Sequence, residues 1–278
     1  MAATITRNST VSSRQNDGQP SAPYAPYAPY APYALEAASL VMRYNKNGAP
    51  ALDNFNLQVK KGEFFGLLGP NGAGKTTAIS ILSDRFPADS GSVSILGDDY
   101  TQQRNRIKQK LGLVPQEIAL YDNLSAHENL AFFCKLYGFS GTALQDRIQQ
   151  GLAFAGLTDH TARLVHTFSG GMKRRLNLAA GLLHDPQILF LDEPTVGIDT
   201  QSRHLIHEQL TRLNHGGMTI LYTTHYMEEA QELCSRIGIM DSGTIIKLGT
   251  PDELLGRSNH TSLENLFLSL TGRQLRDT

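Results

Sequence analysis

The sequence predicts an α/β fold with a mostly parallel core sheet. Short apolar runs such as ILFL at residues 188–191 alternate with segments of helical periodicity along most of the chain. A glycine-rich loop, GPNGAGKTT, stands between a continuously apolar run and the next helical segment, and an acidic pair follows another apolar run. Strands that alternate with helices in this way are typical of α/β folds with parallel sheets.

The predicted elements follow from local patterns, taken in chain order. ASLVMRY alternates as a strand does, and NKNGAP after it forms a turn. FNLQVKKGEFFGLLGP predicts two strands, of which the continuously apolar second one is buried. Further strands are predicted at SVSIL, LGLVP, QILFLDEP and MTILYTTH, and a hairpin at IGIMDSGTIIKLG. Helices are predicted over residues 76–83, 125–156, 171–184, 201–213 and 228–234, with one or two short helices in 251–278.

Composition divides the chain into three parts. Residues 1–34 form a low-complexity tail in which the triplet APY occurs four times. Proline at every third residue favours disorder or polyproline II, and a docking strip for a partner is the alternative. Residues 35–256 are the predicted folded domain, with a helical subdomain at about 117–170, and residues 257–278 are a predicted helical extension.

Charge and cysteine content exclude several classes of protein. A net charge of −1 over 278 residues gives no general attraction for nucleic acid. The two cysteines, Cys134 and Cys234, exclude a disulfide framework, lack metal-ligand spacing and fit a reduced cytosolic compartment. The chain has no run of about 20 apolar residues and its N-terminus is polar, so we expect neither a membrane span nor a secretory signal.

The segment GPNGAGKT at residues 69–76 matches a P-loop, G-x-x-x-x-G-K-[ST]. It follows an apolar strand and precedes a helix, which is the context that a P-loop requires. Its glycines let backbone N–H groups converge on phosphate oxygens, and the helix N-terminus adds about half a positive charge. Lys75 supplies a full charge to the β- and γ-phosphates, and Thr76 supplies a hydroxyl to Mg²⁺.

An acidic pair, Asp192 and Glu193, follows the apolar run ILFL. In an open α/β sheet, ligands bind at the carboxyl ends of the strands. Buried carboxylates without a partner are costly, so packing explains this pair poorly. A metal ion explains Asp192, and a water to be activated explains Glu193. The alternative is that Glu193 only caps the turn into Pro194.

Five further motifs accompany the P-loop and the acidic pair. A single P-loop is moderately specific, whereas an ordered set of motifs is highly specific. In chain order they are an aromatic residue, Tyr44, ahead of the P-loop; Gln116 in VPQE; Ser169, Gly170 and Gly171 in FSGGM; Asp199 in VGID; and His225 in TTH.

This ordered set resembles the nucleotide-binding subunit of an ATP-binding cassette (ABC) transporter over residues of about 36–256. The resemblance implies a P-loop NTPase ABC cassette, with a mostly parallel core sheet, an antiparallel β subdomain and a helical subdomain. It also implies that the chain binds ATP. The residues implied to contact ATP are Tyr44, Gly69, Pro70, Asn71, Gly72, Ala73, Gly74, Lys75, Thr76, Thr77, Gln116, Ser169, Gly170, Gly171 and Asp199.

The resemblance also assigns roles in ATP hydrolysis. It implies that Glu193 polarises the attacking water and that His225 contacts the γ-phosphate and holds that water and Glu193 in place. Mg²⁺ is implied to lie against Thr76, Gln116 and Asp192. Gln116 is further implied to relay the nucleotide state to a membrane partner.

The partners implied by the resemblance are a second cassette and a membrane protein. Two subunits meet head to tail, so FSGG of one closes over the ATP on the P-loop of the other, and Asp199 links the two sites. A homodimer and a pairing with a related cassette both remain open. The permease is a separate transmembrane chain, for which residues 121–139 are the candidate surface. We expect a cytoplasmic protein, peripheral on the inner face of the cell membrane, with no nucleic-acid partner.

Departures from the family pattern point to a subfamily. Phe168 replaces the usual Leu of the signature motif and Met172 its usual Gln, and the surrounding sequence is similar to bacterial drug, polysaccharide and lipid exporters. The short segment after His225 favours export over import. The alternatives are a cytosolic ABC ATPase acting on nucleic acid or ribosomes, and a regulatory cassette that does not hydrolyse ATP. The basic run at residues 173–175 is expected to be a solvated helix face.

Overall fold

The computed structural model describes residues 33–256 and 262–272. The predicted tail, apart from Tyr33 and Ala34, lies outside the described residues, as do residues 257–261 and 273–278 of the predicted extension. The strands are β1 (Tyr33–Met42), β2 (Leu52–Lys60), β3 (Phe64–Leu68), β4 (Ser90–Ile95), β5 (Asp98–Asp99), β6 (Leu111–Val114), β7 (Ile188–Asp192), β8 (Thr219–Thr224), β9 (Arg236–Asp241) and β10 (Thr244–Gly249). The helices are α1 (Lys75–Leu82), α2 (Tyr100–Lys108), α3 (Ala126–Leu136), α4 (Gly141–Ala155), α5 (Gly170–Ala180), α6 (Thr200–His215), α7 (Met227–Leu233), α8 (Pro251–Gly256) and α9 (Leu263–Thr271).

The central sheet has six strands in the order β10-β9-β3-β8-β7-β6. Neighbouring strands from β9 to β6 pair in parallel, and β10 runs antiparallel to β9. This confirms the predicted mostly parallel core. Every residue of β3, β7 and β8 is buried, because α1 packs on one face of the sheet and α6, α7 and α9 pack on the other. The carboxyl ends of these three neighbouring strands therefore lie together at one edge.

A second, antiparallel sheet has the strand order β2-β1-β4-β5. β1 begins at Tyr33, two residues before Leu35, where the folded domain was expected to start, because Ala34 is fully buried and Tyr33 pairs with Lys60. The apolar face of this sheet, including Leu40 and Phe55, joins the same hydrophobic cluster as α1. The helix that follows the P-loop is thus held between the two sheets.

A helical group projects from the core and contains α3, α4 and the first half of α5. The pattern over residues 125–156 predicted one helical region, which the structure divides into two helices at Gly138, where φ is +85°. The group has its own hydrophobic cluster, to which Leu130 of α3, Leu152 of α4 and Leu176 of α5 contribute. The group therefore extends beyond residue 170, the expected limit of the helical subdomain.

The sequence pattern missed α2 and the short strand β5. Of the residues in α2, only Ile107 is buried, so the helix lacks an apolar stripe that periodicity could detect. A local signal was present, since the Asp99 side chain accepts a hydrogen bond from the Thr101 N–H and caps the helix. Among residues 33–256 and 262–272, no helix is long and apolar enough to cross a membrane.

Two serine caps in the helical group allow a matched test of local stability. Ser125 forms a capping box with Glu128 at the start of α3, whereas Ser140 precedes α4 without a side-chain cap bond. We expect Ser125→Ala to lower the free energy of unfolding by about 1 kcal/mol, measured by urea denaturation, because it leaves the Glu128 N–H of α3 without its acceptor. Ser140→Ala is the control, and an equal loss in both variants would contradict this account of α3.

Candidate functional site

The P-loop spans the turn from the end of β3 to the start of α1. Gly74 caps α1 with φ at +102°, a conformation that favours glycine, and a Cβ there would lie 2.4 Å from the Ala51 carbonyl oxygen. No side chain caps this helix, so its first backbone N–H groups remain available to an anion. At Gly72, φ is +81° and a Cβ would meet nothing within 4 Å, so the crest of the loop is open.

Lys75, Glu193 and His225 form a continuous chain of contacts at this edge of the sheet. The Lys75 ammonium donates to the carbonyl oxygens of Gly69 at 2.8 Å and Pro70 at 3.2 Å, and lies 3.0 Å from Glu193 Oε1. Glu193 Oε2 lies 3.1 Å from His225 Nδ1. The Lys75 and Glu193 side chains are only 4% and 6% exposed, so each charge depends on the other for compensation. The structure thus brings three predicted site residues together.

The backbone of Glu193 is held in a strained conformation. Its φ is +46°, in the left-handed region that a side chain with a Cβ rarely adopts. The Glu193 N–H donates to both the carbonyl oxygen and Oγ1 of Thr223 at 3.1 Å, which anchors the turn after β7 to strand β8. Strain of this kind costs about 1–3 kcal/mol and persists where the surrounding structure enforces it. This turn directs the carboxylate towards Lys75, a contact that a role in capping the turn into Pro194 does not explain.

Asp192 is the last residue of β7, and it is buried at the carboxyl edge of the central sheet. Its Oδ1 accepts a hydrogen bond of 2.7 Å from the Thr223 hydroxyl, and in the described residues no hydrogen bond engages its other carboxylate oxygen. Thr76, at the start of α1, and Gln116, after β6, are the other residues predicted to face Mg²⁺. Together these side chains offer oxygen ligands, which Mg²⁺ prefers, and one carboxylate suffices when phosphates supply further oxygens. The donor set therefore fits Mg²⁺.

Tyr44 lies beside α1, and its ring is exposed to solvent. Its hydroxyl lies 3.0 Å from Thr77 Oγ1, and its ring meets Phe86 edge-on with centroids 6.2 Å apart. The side chain remains 63% exposed, which is unusual for a large aromatic residue anchored at one end. A flat apolar surface is thus presented next to the P-loop helix.

The signature segment lies at the start of α5 and packs against the start of α6. Ser169 is exposed, and its hydroxyl caps α5 by accepting the Met172 N–H at 3.3 Å. Asp199 caps α6 by accepting the Ser202 N–H and hydroxyl, both at 2.8 Å. These hydrogen bonds lower the pKa of Asp199. A Cβ on Gly171 would lie 2.0 Å from Ser202 Oγ, so glycine allows the two helix starts to touch.

Gln116 is exposed in a loop whose main chain is held by α5. Arg174 Nη1 donates to the carbonyl oxygens of Pro115 at 3.2 Å and Gln116 at 2.7 Å, and Asn177 Oδ1 accepts the Ala119 N–H at 3.1 Å. The expectation of a solvated face over residues 173–175 is wrong for Arg174, which is 6% exposed. Burial lowers its pKa. A run of basic residues gives no sign that one of them is buried, because the loop that Arg174 holds is distant in the sequence.

The predicted site residues thus fall into two groups. Lys75, Asp192, Glu193 and His225 gather at the carboxyl edge of the central sheet. The FSGG segment at residues 168–171 is joined instead to Asp199 through the contact with Ser202. Among the described residues, no hydrogen bond or ion pair connects the FSGG segment with the P-loop. One chain therefore carries two separate half-sites.

The contact between α5 and α6 predicts different effects for the two glycines of the signature segment. Gly171→Ala forces a Cβ against Ser202 and should lower the free energy of unfolding by about 1–3 kcal/mol, as overpacked sites do. A Cβ on Gly170 would meet only the Gly197 carbonyl oxygen at 3.8 Å, so Gly170→Ala should cause no such loss. Urea denaturation of both variants, and of Gly171→Ala combined with Ser202→Gly, measures this. Equal stability of the two single variants would contradict the assignment, and recovery in the double variant supports it.

Comparison with known proteins gives the family of this chain. A sequence profile of the ABC transporter family matches residues 52–196. The chain is 47% identical over 235 residues to the linearmycin resistance ATP-binding protein LnrL of Bacillus subtilis, which covers 84% of this chain and 75% of that protein. It is 43% identical to the Nod factor export ATP-binding protein I of Cupriavidus metallidurans, over 73% of this chain and 67% of that protein. It is 40% identical to the doxorubicin resistance ATP-binding protein DrrA of Mycobacterium tuberculosis, over 84% of this chain and 69% of that protein.

Solved structures agree with these relatives. One ATP-binding subunit of an ABC transporter matches with a TM-score of 0.77 and 27% identity, over 86% of this chain and 99% of that chain. A dimeric ATP-binding cassette in a post-hydrolysis state, bound to ADP and Pi, matches with a TM-score of 0.71 and 26% identity, over 78% of this chain and 98% of that chain. The fold and the resemblance predicted from the sequence are confirmed: the chain belongs to the ABC transporter family, as an ATP-binding subunit that hydrolyses ATP.

Proposed function

We propose that this chain powers export through a separate transmembrane permease, with each ATP enclosed between two cassettes. The observation that carries the proposal is the buried contact chain from Lys75 through Glu193 to His225 at the carboxyl edge of the central sheet. It places a phosphate-binding cation, a carboxylate and an imidazole within hydrogen-bond distance of one another. That is the set of groups needed to bind a terminal phosphate and activate a water beside it.

In this mechanism Lys75 exchanges its contact with Glu193 for a contact with the phosphate oxygens. Its ammonium has three donors, and two carbonyl oxygens and Glu193 already engage them. When Lys75 turns to the phosphate oxygens, Oε1 of Glu193 becomes free to accept a proton from the attacking water. His225 keeps hold of the other carboxylate oxygen, so Glu193 retains its orientation. The exchange makes Glu193 available as a base once nucleotide has bound.

The remaining residues of the site position ATP and its metal. The P-loop backbone over residues 69–77 receives the phosphates, and the exposed Tyr44 ring receives the adenine. Thr76, Gln116 and Asp192 would hold Mg²⁺, which supplies charge neutralisation of the phosphate oxygens when bound. The buried Asp192 keeps its carboxylate fixed through Thr223.

The second wall of the site comes from another cassette. Ser169 and Gly170 are exposed at a helix N-terminus, where backbone N–H groups favour an anion. Within one chain the next residue, Gly171, lies against Ser202 and Asp199. The dimeric solved cassette supports pairing of two cassettes. We propose a head-to-tail pair in which FSGG of one copy closes over the ATP of the other. The partner is a second copy of this chain or a related cassette.

Export is the direction supported by the relatives. Their names refer to resistance to linearmycin and doxorubicin and to export of Nod factor, and none refers to nucleic acid or ribosomes. We accordingly place the chain in the cytoplasm, peripheral on the inner face of the cell membrane, where it meets its permease.

The permease surface that we propose lies on the helical group. Tyr121, Phe132, Leu136 and Tyr137 are all exposed apolar residues within the expected segment 121–139. Tyr137 also stacks on His184 with ring centroids 3.8 Å apart, so a change there would disturb the fold. Leu136, which is 68% exposed, is therefore the better probe of docking.

The proposed role of Glu193 can be tested with its amide variant. Glu193→Gln should lower the rate of phosphate release by about 100-fold or more while leaving ATP affinity within about twofold, because it removes the base and keeps the side-chain shape. In solution with Mg-ATP, this variant should form a dimer, measured as mass by light scattering.

Further variants, made in the Glu193→Gln background, test whether the FSGG segment of a second cassette completes the ATP site. Ser169→Arg should prevent the dimer, and Ser140→Arg, at an exposed serine that starts another helix, should leave it intact. A Glu193→Gln protein that stays monomeric at saturating Mg-ATP would contradict a homodimer. Undiminished phosphate release would contradict the role of Glu193.

Docking of the helical group on the permease can be tested at Leu136. Leu136→Glu should reduce the fraction of the chain retained with membranes of its source cells by about tenfold, because it places a charge in an apolar contact. Leu248→Glu, at a 49% exposed leucine on the edge strand β10, is the control. Equal retention of the two variants would contradict docking at the helical group, provided that both keep wild-type phosphate release.

A further inference from the structure

A third buried carboxylate, Glu229, lies close behind the catalytic edge. It belongs to α7, is 3% exposed and receives three hydroxyl groups. The Tyr222 hydroxyl donates to Oε2 at 2.7 Å, the Thr224 hydroxyl donates to Oε2 at 3.0 Å, and the Thr195 hydroxyl lies 2.8 Å from Oε1. Three donors on one buried carboxylate form a rigid node, since each partner is itself buried.

The segments that meet at Glu229 are the two that carry the catalytic side chains. Thr195 is two residues after Glu193, in the turn that follows β7. Thr224 directly precedes His225 at the end of β8, and its Oγ1 also accepts the Tyr226 N–H at 2.9 Å. Glu229 thus ties the main chain on one side of the Glu193–His225 contact to the main chain on the other side.

The charge of Glu229 is supported by neighbours on α6. Arg203 Nε lies 3.5 Å from Oε1, and His207 Nε2 lies 3.7 Å from the same oxygen. Burial raises the pKa of Glu229, but His207, Tyr222 and Thr195 outweigh it and leave the pKa below its usual value. The side chain therefore acts as an ionised acceptor, which all three hydroxyls can address at once.

We propose that Glu229 is a positioning residue for ATP hydrolysis, which holds the turn bearing Glu193 and the strand end bearing His225 in register. The inference rests on the proposed roles of those two residues. Their side chains are 3.1 Å apart, and both emerge from short segments that Glu229 grips. A small misplacement at a reacting centre can reduce the rate by up to about 100-fold, so loss of the node should affect turnover more than ATP binding.

The test compares two adjacent glutamates in the full chain. Glu229→Gln removes the charge and one acceptor position, and should lower kcat by about tenfold or more with KM for Mg-ATP within about twofold. Glu228→Gln is chemically identical, but its side chain is exposed, and it should match the wild type. Wild-type kcat in Glu229→Gln, or an equal effect in both variants, would overturn the proposal.

A second pair of variants decides the question if Glu229→Gln does not fold. Thr195→Val removes the hydroxyl that reaches Oε1 and keeps the shape, whereas Thr195→Ser keeps the hydroxyl. We expect Val to lower kcat by about tenfold without changing KM, and Ser to restore most of it. Equal kcat in the two variants would overturn the proposal. Phosphate release that does not depend on Glu193 in otherwise unchanged protein would instead refute the proposed function, so the two failures are distinguishable.

Discussion

The Glu193 carboxylate, shared between Lys75 and His225, is the interaction on which the site depends. Its two oxygens contact a cation from the P-loop and an imidazole from the end of β8, so one side chain joins three neighbouring strand ends. Such a buried charge is tolerable only because both partners are in place. The partners are in place because β3, β7 and β8 run parallel and end at one edge. The sheet order is therefore a condition of the chemistry as well as of the fold.

A second level of polar contacts keeps this arrangement rigid. The Thr223 hydroxyl donates to Asp192. The carbonyl oxygen and Oγ1 of Thr223 both accept the N–H of Glu193, whose backbone is strained. Behind it, Glu229 collects hydroxyls from both segments. Hydroxyl-bearing residues at the end of β8 thus donate hydrogen bonds to the carboxylates that surround them. Hydrogen bonds between buried groups in a low-dielectric interior favour one geometry.

The parallel core and the P-loop could be predicted from the sequence because each is indicated by segments that follow one another directly along the chain. An apolar run, a glycine-rich loop and a helix follow one another directly at residues 64–82, and the acidic pair follows its strand at once. The sequence did not reveal Arg174 or Glu229, because their burial depends on partners that local spacing does not indicate. It also missed α2, whose exposed surface leaves no apolar periodicity. The P-loop motif indicated phosphate and Mg²⁺ and the acidic pair indicated a metal ion, whereas the assignment to ATP came from the family resemblance.

The grip of α5 on the loop that carries Gln116 has an evolutionary consequence. Arg174 and Asn177 hold that loop by hydrogen bonds to main-chain atoms of Pro115, Gln116 and Ala119. These hydrogen bonds involve no side chain of the loop. Neighbouring loop positions can therefore diversify without loosening their anchorage. A gene lineage that acquires a new membrane partner could remodel this loop one substitution at a time, while the signature helix continues to hold it in place.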